Sequence, residues 1–300
     1  MDAASLTTSE HAALKALSRP SDRRGLLQLG GHLLLLGATT ALLALTAHGP
    51  WLALSSLLQG VVIVFLFCAA HEAIHRTAFR TRALNDAAAW IAGLAILLPP
   101  AYFRAFHLAH HRHTQDPERD PELAEPRPES LGAYLWHLTG FAYWRGQIAA
   151  LLRHAGGRAE EPFVTPRERA KVVREARLFL AIYLGIAGLS LWSGSTLALT
   201  FWVVPALLGQ PFLRAYLLAE HRGCPESRDM MLNSRTTESN AALRWLAWNM
   251  PFHGAHHAYP ALPFFALPAG HEILSARPWT QAPGYLSFHR QVIAGYLARR

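Results

Sequence analysis

Residues 26–75 read LLQLGGHLLLLGATTALLALTA (26–47), HGP (48–50), WLALSSLLQGVVIVFLFCAA (51–70) and HEAIH (71–75), and they give the strongest indication of how the chain folds. Each apolar run is long enough to cross the ~30 Å hydrocarbon core of a bilayer as an α-helix. The three residues between the runs allow only a tight turn. We therefore expect the chain to cross a membrane, return, and end the second crossing directly on a pair of histidines.

A second pair of apolar runs, residues 178–192 and 197–219, repeats this arrangement and ends just before His221. Neither turn carries a Lys or an Arg, whereas the opposite ends of the four runs are rich in arginine. By the positive-inside rule, both termini and both long polar segments are expected in the cytoplasm. The arginines that define this collar are Arg19, Arg23, Arg24, Arg76, Arg80, Arg82, Arg174, Arg177 and Arg222.

The composition agrees with a chain that is only partly embedded in lipid. Of its 300 residues, 51% are apolar and 16% are charged, below the ~25% charged residues of a soluble domain. Its mean hydropathy of +0.13 is too low for a protein that lies almost wholly in the membrane. The predicted fold class is therefore an all-α integral membrane protein, with four transmembrane helices in two hairpins and a cytosolic helical cap.

The domain boundaries follow from the same pattern. We expect a cytosolic N-terminal segment (1–25), a membrane unit (26–275) whose cap is formed by 71–177 and 220–275, and a cytosolic C-terminal tail (276–300). Two shorter apolar stretches, 87–100 and 131–152, are interpreted as interfacial or re-entrant helices.

The charge and the cysteines exclude other classes. The net charge of +8 suits an anionic membrane surface, and no recognition helix or aromatic-basic stripe indicates nucleic acid as a partner. The two cysteines, Cys68 and Cys224, form no CxxC motif, so a thiolate zinc site or an iron–sulfur cluster is not expected.

Histidine is over-represented, with 17 residues against 20 acidic ones. Three clusters stand out: HEAIH (71–75), HLAHH (107–111) and HGAHH (253–257). Residues three or four positions apart share one face of a helix, and neutral imidazole suits iron, copper, zinc or nickel. The candidate ligands are too many for one tetrahedral zinc and enough for two metal ions: His71, His75, His107, His110, His111, His221, His253, His256 and His257. Whether His113 also binds is left open.

These three motifs resemble the histidine boxes of the membrane fatty acid desaturase and hydroxylase superfamily, over roughly residues 26 to 275. HEAIHRTAF and HHAYPALP resemble bacterial acyl-lipid desaturases in particular. The resemblance implies a four-helix membrane stem, a cytosolic cap and a non-haem di-iron centre that uses O2 as co-substrate. It also implies a histidine after the fourth span, which His221 matches, and a location in the bacterial inner (cytoplasmic) membrane.

The resemblance also implies what else the reaction needs. The substrate would be a lipid or acyl chain taken from the bilayer. No cytochrome b5 module and no rubredoxin cysteines are visible, so a separate electron donor, ferredoxin- or cytochrome-like, is expected. In animal acyl-CoA desaturases an Asn stands four residues before the extra histidine, where this chain has Leu217.

Several side chains near the boxes are candidates to support the ligands. A carboxylate that accepts the second N–H of an imidazole orients the ring and raises its basicity. The possible supporting residues are Glu72, Asp116, Asp120 and Asn249.

Three aromatic residues, Trp90, Tyr102 and Phe103, are candidates for the wall of a substrate tunnel.

Three functions remain open from the sequence. The first is desaturation of a fatty acyl chain, and the second is hydroxylation or ketolation of a carotenoid, alkane or acyl lipid by an enzyme of the same superfamily. The third is metal transport by a histidine-rich protein. Transport predicts ionisable residues inside the spans, whereas here the histidines gather at the span ends.

Overall fold

A computed structural model describes residues 6–299 of the chain. Five residues of the expected segment 1–25 and the last residue of 276–300 lie outside this range. The described chain is built almost entirely from α-helices, which confirms the predicted all-α class. In order they are α1 (Thr8–Leu17), α2 (Asp22–Thr46), α3 (Leu52–Val64), α4 (Leu66–His75), α5 (Arg82–Ile96), α6 (Pro100–His113), α7 (Leu131–Leu138), α8 (Phe141–Ala155), α9 (Pro166–Ser193), α10 (Val204–His221), α11 (Met230–Asn233), α12 (Ala241–Leu246), α13 (His253–Ala258), α14 (Leu267–Leu274) and α15 (Tyr285–Leu297).

Four helical segments of the described chain are long and apolar enough to cross a membrane. The second joins α3 to α4, and the fourth joins a π-helical turn (Leu199–Val203) to α10. Each of the four extends past its apolar run in the sequence at one end or both, because helical hydrogen bonding continues into water where apolarity stops. The segments are Asp22–Thr46, Leu52–His75, Pro166–Ser193 and Leu199–His221.

The third span shows how the sequence sets its ends. Thr165 and Glu168 form a capping box, so α9 starts well before its apolar part. It ends at Gly194, which adopts the left-handed conformation (φ 64°) that a residue without Cβ reaches at little cost. The amide of Ser195 then donates to the carbonyl of Ser190 over 2.9 Å, which closes the turn toward the fourth span.

The apolar stretch 87–100, interpreted as interfacial or re-entrant, lies in two helices that meet at a sharp bend. The axes of α5 and α6 differ by 98° across the break. Leu97 ends α5 in the left-handed conformation (φ 60°), and Pro100 starts α6, where its missing N–H costs nothing. Tyr183 donates to the carbonyl of Leu94 over 2.9 Å, and Trp202 donates to that of Ala95 over 2.7 Å. These two carbonyls in the last turn of α5 therefore have hydrogen-bond partners.

Helix α3 packs against both α2 of the first span and α10 of the fourth. Gly60 of α3 and Gly209 of α10 face each other so closely that a Cβ on either would overlap backbone atoms of the opposite helix. Small residues at such a crossing let helix backbones approach within van der Waals contact, which is how helices associate in lipid. This contact fixes the position of α10 relative to α3 and α4.

The cap also includes both ends of the described chain. The stretch 131–152 forms α7 and α8. Helix α1 packs on α14, and Glu10 pairs with Arg277 over 2.6 Å. The segment 276–300, expected as a tail, contributes a strand, Thr280–Ala282, which pairs in parallel with Arg235–Thr237, and helix α15, which packs on α10.

We predict that Gly60→Ala destabilises the protein because the added methyl group forces α3 and α10 apart. The free energy of unfolding is expected to fall by about 1–3 kcal/mol, the range for inserting extra atoms into a well-packed interior. Thermal unfolding of the purified protein in detergent measures it. Gly188→Ala is the matched control, since a Cβ there meets nothing within 4 Å. Equal melting temperatures for the two variants would contradict the close helix crossing.

Candidate metal centre

The nine predicted histidine ligands come from four helices. His71 and His75 lie one turn apart on α4, and α6 carries the second box. The third box forms the short helix α13, while α10 ends on His221. All nine rings are brought together, because the bend before α6 returns the second box to the end of α4 and the α3–α10 packing aligns His221 with both.

Five of these histidines form a first group in which one nitrogen of each ring lies within 4.8 Å of the others. The Nε2 atom of His111 lies 3.0 Å from that of His107 and 3.1 Å from that of His256. Most of the group is buried, and His256 is fully inaccessible to solvent. Its members are His71, His75, His107, His111 and His256.

Three more form a second group under the same distance limit: His110, His221 and His257. The Nε2 atoms of His110 and His221 are 3.1 Å apart. His253 adjoins this group, with its Nε2 atom 2.9 Å from that of His221. Stacking of His111 on His257, with ring centroids 4.0 Å apart, joins the two groups. His113, left open above, belongs to neither group.

The spacing and the chemistry of these nitrogens fit metal ions. Two imidazole ligands about 2.1 Å from one ion and roughly at right angles to each other place their nitrogens about 3 Å apart. Several ring nitrogens are buried without a hydrogen-bond partner, including His71 Nδ1, His75 Nε2 and His257 Nε2. Leaving such atoms unpaired costs free energy, and a bound cation would satisfy them.

Burial also sets the protonation state of the third box. Desolvation lowers the pKa of His253, His256 and His257 well below the usual value, and the neighbouring histidines lower it further. The three rings are therefore neutral at pH 7. Only a neutral imidazole has a free lone pair to give to a metal.

Each ring of the second group is oriented through its other nitrogen. His110 Nδ1 lies 2.9 Å from Asp120 Oδ1, and His221 Nδ1 lies 3.1 Å from the carbonyl oxygen of Asn233. His257 Nδ1 lies 3.2 Å from Thr114 Oγ1, whose own proton goes to the carbonyl of His110. An Nδ1–H that donates to these oxygens leaves Nε2 unprotonated and facing the other rings.

The four predicted supporting residues have different contacts. Asp120 is the one whose carboxylate reaches a histidine ring. Asp116 instead pairs with Arg119 over 2.6 Å, in a partly exposed loop. Glu72 accepts from the amide of Phe264 over 2.8 Å, and Asn249 donates to the carbonyl of the same residue over 3.2 Å. These two side chains hold the loop after the third box.

Three residues that were not predicted from the sequence also support the second group: Thr114, Gln115 and Asn233. The side-chain amide of Gln115 donates to the carbonyl of His221 over 2.7 Å, and its main-chain N–H donates to the Asp120 carboxylate over 2.8 Å. Thr114 and Gln115 come directly after the second box, and this position was a signal available in the sequence. Nothing in the sequence marks Asn233, because it uses its main-chain carbonyl, which every residue has.

A cavity of about 1000 Å³ leads to the histidines. Its apolar wall includes Phe67, Leu98 and Phe103, and His71 and His107 line it as well. Tyr102 and Phe103, proposed as tunnel residues, are both on this wall. Trp90 is not, since its ring packs against Phe179 of α9 with centroids 4.9 Å apart.

Comparisons with known proteins agree with this site. The family model described as "Fatty acid desaturase" matches residues 20–290. An sn-1 oleoyl-lipid 12-desaturase of Picosynechococcus sp. is 26% identical over 210 residues, which is 65% of this chain and 58% of that protein, less than two thirds of its length. A dihydrorhizobitoxine desaturase of Bradyrhizobium elkanii is 26% identical over 288 residues, covering 89% and 78% of the two chains. The chain belongs to the fatty acid desaturase family.

Proposed function

We propose that the protein removes hydrogen from an unactivated C–H bond of a lipid in an O2-dependent reaction, and that the reaction is desaturation of a fatty acyl chain. The observation that carries this proposal is the meeting of nine histidines, seven of them buried, at a cavity with an apolar wall. A ligand set of imidazoles suits redox-active metal ions, and the apolar wall suits a hydrocarbon chain.

We propose that two iron ions occupy the centre. The first would be held by the group around His111 and the second by His110, His221, His253 and His257. Bound iron supplies the activation of O2 and the oxidising power for the C–H bond. Asp120, Asn233 and Thr114 keep three of the rings in the ligating tautomer, because an oxygen of each accepts a hydrogen bond from Nδ1–H.

The residues that line the cavity would select and position the lipid substrate. Phe67, Leu98 and Phe103 would exclude water and hold the acyl chain beside His71 and His107, which share the same wall. Arg214 lines the more polar part of the cavity and stacks on the Tyr143 ring with its guanidinium 4.2 Å from the centroid. Its positive charge suits the polar end of a lipid.

We infer that the histidines, both termini and the cap are cytoplasmic in a bacterial inner membrane. The turns within the hairpins carry no Lys or Arg, and the arginine collar lies at the same ends of the spans as His75 and His221. The catalytic unit is residues 26–275, with 1–25 and 276–300 as flanking segments. A separate ferredoxin- or cytochrome-like protein would deliver electrons to this face.

Metal content tests the ligand assignment. We expect two iron ions per chain in protein purified after growth with iron, measured by elemental mass spectrometry. His75→Ala and His110→Ala, one from each group, should each lower that number by one or more, because the remaining rings cannot complete the coordination sphere. His48→Ala, in the first hairpin turn, is the control and should keep both ions. Full iron content in both box variants would contradict the assignment.

Asp120→Asn tests the orienting contact at His110. An amide in this place donates to Nδ1 as well as accepting, and so favours the tautomer whose Nε2 is protonated and cannot bind a metal. Loss of such a contact typically lowers metal affinity by about 10–100-fold. Asp116→Asn is the matched control, because Asp116 pairs with Arg119 and no ring. Competition with a chelator compares the two, and similar affinities would rule out the role given to Asp120.

The product tests the reaction itself. The chain is expressed in a bacterium, and fatty acids from its lipids are analysed by mass spectrometry. We expect new species lighter by two hydrogen atoms, absent with His257→Ala and present with His48→Ala. Species that instead gain one oxygen atom would assign hydroxylation, and an unchanged product with His257→Ala would show that the third box is not required.

A further inference from the structure

A second cavity, of about 300 Å³, lies between α4, α5, α6 and α9. It shares no lining residue with the cavity at the histidines. Four cationic side chains line it: Arg76, Arg104, Lys171 and Arg174. They come from three helices that are far apart in sequence, so the tertiary structure creates this concentration of charge.

The acidic residues in the wall neutralise only part of that charge. Glu175 lies 3.7 Å from Lys171 and also accepts from the amide of Ala101 over 2.7 Å. Asp86 lies 3.9 Å from Arg82, which is outside the cavity. Among residues 6–299, no ion pair within 4.0 Å involves the other three cations of the wall, Arg76, Arg104 and Arg174.

Two of these arginines have energetically unfavourable features in the folded protein. Arg104 has a buried Nη1 atom that finds no hydrogen-bond partner among the described residues. A buried donor of a charged group without an acceptor is destabilising. Arg76 ends α4 in the left-handed conformation (φ 65°), where Gly or Asn is the usual residue. Both costs are offset if an anion sits between the guanidinium groups.

We propose that this cavity binds the phosphate group of an anionic phospholipid. Guanidinium groups hold phosphate through paired N–H···O bonds, and the cavity has three guanidinium groups with no carboxylate partner of their own. Its wall also contains Trp90 and Leu178, and the side chain of Leu178 is 48% exposed. An acyl chain would cover this apolar surface, which inorganic phosphate cannot do.

The position along the span supports a lipid as the occupant. In α9 the charged run 166–177 changes to the apolar run 178–193 at the cavity itself. The site therefore lies where headgroups meet hydrocarbon, at the arginine-rich ends of the spans. Anionic lipids face such ends on the cytoplasmic side of a membrane.

Bound phosphate would join the two helices that carry the first and second histidine boxes. Arg76 directly follows His75, and Arg104 comes three residues before His107. A lipid held by both arginines would stabilise the helix ends that present these rings. Binding needs neither iron nor catalysis, so this proposal stands or fails separately from the desaturase reaction.

The test uses the full chain in nanodiscs of phosphatidylcholine alone and of an equal mixture with phosphatidylglycerol. Phosphatidylcholine carries its own choline cation and competes poorly for arginine. We expect the mixture to raise the melting temperature of the wild type by about 5 °C through preferential binding to the folded state. Arg104→Gln and Arg174→Gln should lose most of this gain. Arg167→Gln, an exposed change on α9 outside the cavity, should keep it.

The outcomes separate the alternatives. If all three variants keep the gain, a general surface-charge effect explains it and the site is overturned. If inorganic phosphate added to phosphatidylcholine nanodiscs reproduces the gain, the cavity takes a free anion and the assignment to a lipid is overturned. Arg174 is exposed, so its variant decides the question even if Arg104→Gln fails to fold.

Discussion

Nine imidazole rings lie side by side at the edge of a membrane, and holding them there is the requirement that shapes the fold. Ring nitrogens only about 3 Å apart, several without a hydrogen-bond partner, are unfavourable unless a cation joins them. Such an arrangement can persist only on rigid elements. The protein provides these by extending two spanning helices straight into the site, where they end on His75 and His221.

Two features of the backbone position the histidine-bearing helices around one site. The 98° bend between α5 and α6 brings a helix that is not a simple span back across the end of α4. The contact of Gly60 with Gly209 holds α10 against α3 with no side chain between them. Together they fix three of the four histidine-bearing helices relative to one another, and the loop held by Glu72 and Asn249 fixes α13.

The two groups of histidines differ in how their rings are held. In the second group, three rings are oriented by Asp120, Asn233 and Thr114, which are fixed in turn by Gln115 and by main-chain contacts. In the first group, the rings contact mainly other histidines, together with Phe67 and Phe103. The apolar side of the cavity thus adjoins the first group, which is also the side where a hydrocarbon chain fits.

The amino-acid sequence is sufficient to predict the spans, the histidine boxes and the family resemblance, because hydropathy and i, i+3/i+4 spacing are local properties. It does not distinguish Asp116 from Asp120, whereas the tertiary structure shows that Asp120 reaches His110 while Asp116 pairs with Arg119. The use of the Asn233 carbonyl, the packing of α15 on α10 and the gathering of Arg76, Arg104 and Arg174 were likewise decided there. Each joins residues distant in the chain, and no local pattern encodes such contacts.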